Sequence, residues 1–136
     1  MKITLFSDGG ARGNPGPAGI GFVALVGEKL VYEHGETIGE TTNNVAEYTA
    51  VIKGLAWLKD YLGEHTEVTE MEWKLDSKLV VEQLAKRWKI KEPHLRELAL
   101  ECWENLSSIS IPYSFRHVPR EQNSAADALV NSALDS

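Results

Sequence analysis

The hydrophobic period of the chain switches near residue 42, and that switch limits the fold more than any other feature. Before it, residues 2–7 (KITLFS), 20–26 (IGFVALV) and 29–38 (KLVYEHGETI) are rich in β-branched and aromatic residues, with glycine-containing breaks between them. This pattern predicts three strands in an antiparallel meander. The Gly27-Glu28 break suits a hairpin, whereas GGARGNPGPAG reads as a longer loop. After the switch, Tyr48, Val51, Leu55, Leu58 and Leu62 recur at intervals of three and four. That is the spacing of an amphipathic helix over residues 44–62, with Thr42 and Asn43 as candidate N-caps and Gly63 as a candidate stop.

The two periods then alternate. In VTEMEWKLD, residues 68–76, Met71, Trp73 and Leu75 interleave with Glu70, Glu72 and Lys74, which predicts a strand. A second helix is expected from Ser77, carrying Val80, Val81, Leu84 and Trp88 toward the core, with a break at Pro93. Leu95, Leu98, Cys102 and Leu106 mark a third helix; Ile111, Tyr113 and Phe115 mark a strand that Pro112 puts at an edge or at its start. Ala126, Leu129, Val130 and Ala133 close the chain with a short helix after the loop PREQN. The order β-β-β-α-β-α-α-β-α predicts an α/β fold, a mixed five-stranded sheet with helices on both faces.

With 136 residues, the chain is expected to be a single domain, residues 1–136. Hydrophobic residues at 43% and charged residues at 25% argue against disorder, collagen and coiled coil. Cys102 is the only cysteine, which excludes an internal disulfide framework and a zinc site built on several thiolates. No apolar run reaches membrane-spanning length, and MKITLFSDGG meets an aspartate too early for a signal peptide. A cytoplasmic monomer without membrane contact is the expectation.

The formal net charge of -6 by itself disfavours a polyanionic partner. Its distribution says more. Lys86, Arg87, Lys89 and Lys91 fall within AKRWKIK around Trp88, a pattern that serves either as a solvated helix end or as a nucleic-acid contact.

Four acids are placed to meet. Asp8 ends the first strand and Asp76 the fourth, so parallel neighbours would project both carboxylates at one sheet edge, where open α/β sheets bind ligands. Glu47 in the first turn of a helix and Asp127 near the start of the last can reach the same edge. Singly, such acids are commonly turn formers or partners of a helix dipole. Together they would repel one another unless cations neutralise them. A hard divalent metal fits, since Mg2+ takes carboxylate oxygens and two such ions can support phosphodiester hydrolysis.

Four segments carry a resemblance. TLFSDGGARGNPGPAG, ETTNNVAEYTAVIKGL, WKLDSKLVVEQL and FRHVPREQNSAADALV resemble, in order and over nearly the whole chain, the signature segments of type 1 ribonuclease H. The HVPREQNSAADAL ending is similar to the short archaeal-like or plant-like branch that lacks an added basic helix. The resemblance implies a metal-dependent endonuclease that cuts the RNA strand of an RNA/DNA hybrid and leaves 5'-phosphate and 3'-hydroxyl ends. It carries Asp8, Glu47, Asp76 and Asp127 over as the metal-binding, catalytic carboxylates of two Mg2+ ions, with Mn2+ as a substitute. Two divalent ions add +4, which would move the formal charge from -6 to -2. Gly9, Gly10, Asn14, Asn43 and Asn44 match minor-groove contacts. A nucleotide P-loop is excluded, because no Gly-Lys-Ser/Thr follows the glycines.

Three positions depart from the family pattern. Val45 stands where bacterial forms place an Arg that grips a DNA phosphate, leaving Thr42 and Asn14 for that pocket. Residues 86–94 are too short for the added basic helix; Lys86, Arg87, Trp88 and Lys89 would replace it as substrate contacts, with Trp88 either stacking on the substrate or buried as core. His117 precedes Asp127 by the family's ten residues but lacks its glycine-rich loop, so His117 or Arg120 would assist turnover. His34, His65 and His94 show no ligand spacing. A related nuclease for another duplex, and a binding module without catalysis, are the alternatives.

Overall fold

The computed structural model describes every residue from Met1 to Ser136. Five strands, β1 (Lys2–Ala11), β2 (Gly16–Val26), β3 (Lys29–Thr41), β4 (Glu70–Leu75) and β5 (Tyr113–His117), form one sheet in the order β3-β2-β1-β4-β5. The β1-β2 and β2-β3 pairs are antiparallel, as the meander predicts, and β4 lies parallel to both β1 and β5. Helices α1 (Asn43–Glu64), α2 (Lys78–Leu84), α3 (Pro93–Ser107) and α4 (Ser124–Leu134) complete the mixed α/β fold. No helix is long and apolar enough to cross a membrane.

One face of the sheet carries the main core. Ile3, Leu5, Trp73 and Leu75 alternate inward from β1 and β4 onto Tyr48, Val51, Leu55 and Leu58 of α1 and Leu95, Ala99, Cys102 and Leu106 of α3. Trp73 is fully buried, and its indole N–H donates to Ser7 Oγ at 2.8 Å. That bond matters because a buried, unpaired N–H costs about 1–3 kcal/mol. The opposite face receives α4, whose backbone comes down on β2 at Gly21. A Cβ there would stand 2.6 Å from the Ala126 carbonyl oxygen, so a side chain would lift off the helix that carries Asp127.

Several boundaries differ from the sequence expectation. β1 does not stop at Asp8 but pairs with β2 through Ala11, and β2 starts at Gly16, so most of the expected glycine-rich loop is sheet. Glycine lowers strand propensity, yet β2, paired with β1 as far as Ala11 and with β3 from Gly16, holds the segment extended. Thr42 is the N-cap of α1 and its hydroxyl accepts from Val45 N–H at 3.3 Å, while Asn43 is the first helical residue. Gly63 lies inside α1 rather than ending it. α2 stops at Leu84, and Lys86 takes a left-handed φ of 62°, which turns the chain off the helical path. Trp88 is therefore 44% exposed, and its expected place in the core is corrected. Val80, Val81 and Leu84 are buried as expected, and β5 starts directly after Pro112 as an edge strand.

Candidate active site

The β1-β4 register decides where the first two acids stand. The parallel pairing ends at Ser7 opposite Leu75; Asp8 is the next residue on β1 and Asp76 the first beyond β4. Glu47 comes to them because α1 starts against β1. A Cβ on Gly9 would lie 2.3 Å from Ala46 C and O, so only glycine lets the helix seat there. The Gly9 N–H then donates to Glu47 Oε1 at 2.7 Å. Carboxylate oxygens of Asp8, Glu47 and Asp76 all lie within 4.8 Å of one another.

Asp127 reaches the cluster from α4. Its carboxyl stands close enough to Asp8 for its charge to act on that acid, and both line the same groove. Asn131 Nδ2 steadies it, donating to Asp127 Oδ2 at 3.3 Å. Burial first, and then the charges of Asp76 and Asp127, push the Asp8 carboxyl up to about 8. Glu47 is held well above the usual carboxylate range by burial, then by Asp8 and Asp76. Asp76 is also raised by burial, against the pull of the Asn123 side chain and the Arg120 guanidinium. The cluster thus resists its own ionisation, the electrostatic condition that a bound cation relieves.

An all-oxygen donor set suits a hard divalent ion. A second observation points the same way. Asn123 is 1% exposed, and its Nδ2 donates to the Ser7 carbonyl at 2.8 Å, yet its Oδ1 has no hydrogen-bond partner. A buried acceptor of this kind is matched by a donor such as an ion's hydration water. The residues present fit a divalent metal.

The acids open into a groove of about 390 Å3, also lined by Gly9, Gly10, Asn43, Asn44, Ser77 and Arg120. Asn14 Oδ1 accepts from Asn43 N–H at 3.0 Å, and Asn43 Oδ1 accepts from Ala11 N–H at 2.8 Å, so the amides tie the β1-β2 loop to the head of α1. Thr42 caps the helix and is not part of the groove wall. His117 is exposed at the end of β5, outside the groove, whereas Arg120 lines it.

Lys86, Trp88 and Lys89 stand apart from the acids, around a hollow of about 810 Å3 shared with Gln83, Lys91, Arg96 and Trp103. Arg87 does not line it. Its Nε meets Glu82 Oε2 at 2.5 Å, so this charge of the basic run is paired within the protein. Trp103 does not stand out in the sequence, since it lies on a helix whose spacing marks only Leu95, Leu98, Cys102 and Leu106, yet the Lys86 ammonium lies 4.8 Å from its ring centre. Ser7 and Asn123 were missed for similar reasons. Ser7 reads as an ordinary strand residue and Asn123 as part of the PREQN loop; in the structure Asn123 holds the N-cap position of α4, but its side chain makes no cap bond.

Known proteins share this fold. Residues 6–133 match the family model described as reverse transcriptase-like. The structure of ribonuclease H1 from the halophilic archaeon Halobacterium salinarum superposes with a TM-score of 0.90 at 40% identity, covering 99% of this chain and 98% of that one. The chain belongs to the ribonuclease H family. Within it, LC11 ribonuclease H1 in complex with an RNA/DNA hybrid superposes with a TM-score of 0.88 at 42% identity, covering 98% of this chain and 96% of that one. A bifunctional protein of Mycobacterium tuberculosis is 43% identical over 99% of this chain, which spans 36% of that protein's length. The chain spans 65% of the full-length Halobacterium ribonuclease HI. The likeness to ribonuclease H1 of a halophilic archaeon agrees with the short, archaeal-like branch indicated by the HVPREQNSAADAL ending.

Proposed function

We propose that this domain is an endoribonuclease that hydrolyses the RNA strand of RNA/DNA hybrids, with Asp8, Glu47, Asp76 and Asp127 as its metal-binding carboxylates. The observation that carries this is the meeting of three carboxylates within 4.8 Å in an open groove whose wall Asp127 also lines. The hybrid bound by LC11 ribonuclease H1 supports the choice of substrate.

Mg2+, with Mn2+ as its substitute, would be held by Asp8 and Asp76 centrally, by Glu47 for one ion and by Asp127 for the other; when bound it supplies an activated water and neutralises charge at the scissile phosphate. The chain's own residues do the rest. Gly9 orients Glu47 through its backbone N–H, and Asn123 ties the start of α4 to the Ser7 carbonyl, fixing the approach of Asp127. Because Asn14 and Asn43 spend their carbonyl oxygens on the protein, their amide N–H groups remain as donors. Donors suit the acceptor-rich minor groove and the 2'-hydroxyls that distinguish RNA from DNA. Arg120, beside Asp76, takes the turnover role in preference to His117, which lies outside the groove. Lys86, Trp88 and Lys89 supply an outlying contact by stacking and phosphate attraction. A monomer in a reducing cytoplasm completes the reading, supported by the one buried thiol, Cys102.

The test is an end-labelled substrate set of one sequence, as hybrid, double-stranded RNA and double-stranded DNA, with Mg2+, Mn2+ or chelator. The expected result is cutting of RNA in the hybrid alone, abolished by chelator and lowered about 10^3-fold in Asp76→Asn. Near-normal cutting by Asp76→Asn would overturn the metal assignment. Hybrid binding by a folded protein without cutting would make the domain a binding module, and cutting of double-stranded RNA would make it a nuclease for another duplex.

A further inference from the structure

The groove holds a cation that no motif singles out. Arg12 lines the same wall as the acids, and Arg12 and Arg120 are the only cationic side chains in that lining. The Arg12 backbone is fixed, its N–H donating to the Pro17 carbonyl at 2.8 Å. Arg12 Nη1 meets Oδ1 of Asp135, the residue that closes α4, at 2.6 Å, with the two side chains 48% and 64% exposed. An ion pair this open to water is weakly held, because solvent screens it and both side chains lose rotamer freedom in making it.

A phosphodiester offers the guanidinium two oxygens in the fork geometry it prefers, and a strand offers many such groups in a row. We infer that Arg12 is a further phosphate-contacting residue and that Asp135 is its resting partner, so the pair is an exchangeable latch that a substrate phosphate opens. This rests on the ribonuclease H reading only in taking the groove's occupant to be a polyanionic duplex. In the resting protein the carboxylate holds the guanidinium at the groove's edge. On binding, the phosphate replaces the carboxylate, and Asp135 is returned to solvent and its counterions.

The exchange leaves a signature in the salt dependence. A new phosphate contact releases a counterion from the nucleic acid, but an unpaired Asp135 gathers one back, so the wild-type latch contributes little to the slope. Hybrid affinity should therefore be measured by fluorescence anisotropy against NaCl in Mg2+, in the cleavage-deficient Asp76→Asn background, with Asp135→Asn, Arg12→Gln and both together. Asp135→Asn is expected to tighten binding about 2- to 5-fold at low salt and to steepen the log-log slope by about 0.9. Arg12→Gln is expected to weaken binding and to erase the effect of Asp135→Asn in the double variant. Melting midpoints of all four proteins should agree, since both side chains are exposed. If Asp135→Asn tightens binding equally without Arg12, the effect is bulk charge and the latch is wrong. Equal affinity and slope in all four proteins would remove the latch alone, whereas cooperative melting with no hybrid binding by any of them would remove the ribonuclease H reading as well.

Discussion

A methyl group at position 9 would collide with the Ala46 carbonyl at 2.3 Å, and the N–H at that same residue holds Glu47 Oε1 at 2.7 Å. Packing and site geometry therefore depend on one missing side chain. Gly9→Ala should cost about 2–3 kcal/mol in urea unfolding and lower hybrid cleavage by displacing Glu47; a variant of unchanged stability would show that α1 can shift freely. Asp8 carries the site's electrostatic load. Its folded pKa of about 8 lies above the ordinary value of 3.8, so folding favours its protonated form. The resulting stabilisation is full below about pH 4 and is lost as pH rises toward 8. In chelator, Asp8→Asn should therefore gain about 1–3 kcal/mol relative to wild type between pH 5 and pH 8. Denaturation curves at the two pH values check this, and a constant difference would mean that burial and the neighbouring acids do not raise the Asp8 carboxyl.

Among the elements, α2 shows how a few residues redirect a face. Ser77 starts it by accepting the Val80 N–H at 3.3 Å, and Val80, Val81 and Leu84 bury their side chains as their spacing requires. The helix then closes with Lys86 N–H on the Gln83 carbonyl and Arg87 N–H on the Glu82 carbonyl, which forces Lys86 to a positive φ. Glycine is the residue suited to that position. Lys86→Gly should raise stability by about 1 kcal/mol while weakening hybrid affinity, because it removes the ammonium beside Trp103. Thermal melting and a binding curve separate the two effects. A loss of stability would show that the Lys86-Trp103 contact outweighs the strained backbone.

For the whole molecule, the surplus of acid is concentrated where a cation can cancel it. Any ion that binds only the folded state stabilises it by mass action, by about 1.4 kcal/mol at ten times its Kd. Mg2+ should raise the melting midpoint by about 4–6 °C under that condition, whereas NaCl of equal ionic strength should not, and Asp8→Asn should lose most of the gain. Equal effects of the two salts would indicate general screening of a net charge of -6 rather than a site.

Element types and their order were legible in the sequence because periods of two and of three to four survive in a single chain, and Asp8, Glu47, Asp76 and Asp127 stood out through their motifs. Boundaries were less legible. The β1-β2 extension through glycine is set by partner strands distant in sequence, and Trp88 left the core because one left-handed residue ended α2 early. The convergence of the acids needed the parallel β1-β4 register and the close seating of α1 on Gly9. The buried Oδ1 of Asn123 and the pairing of Arg12 with Asp135 belong to the same category. Local pattern determined which residues were available for chemistry. Only long-range packing decided which of them share a site, since distance in space, burial and the resulting shifts in ionisation are properties that no segment has by itself.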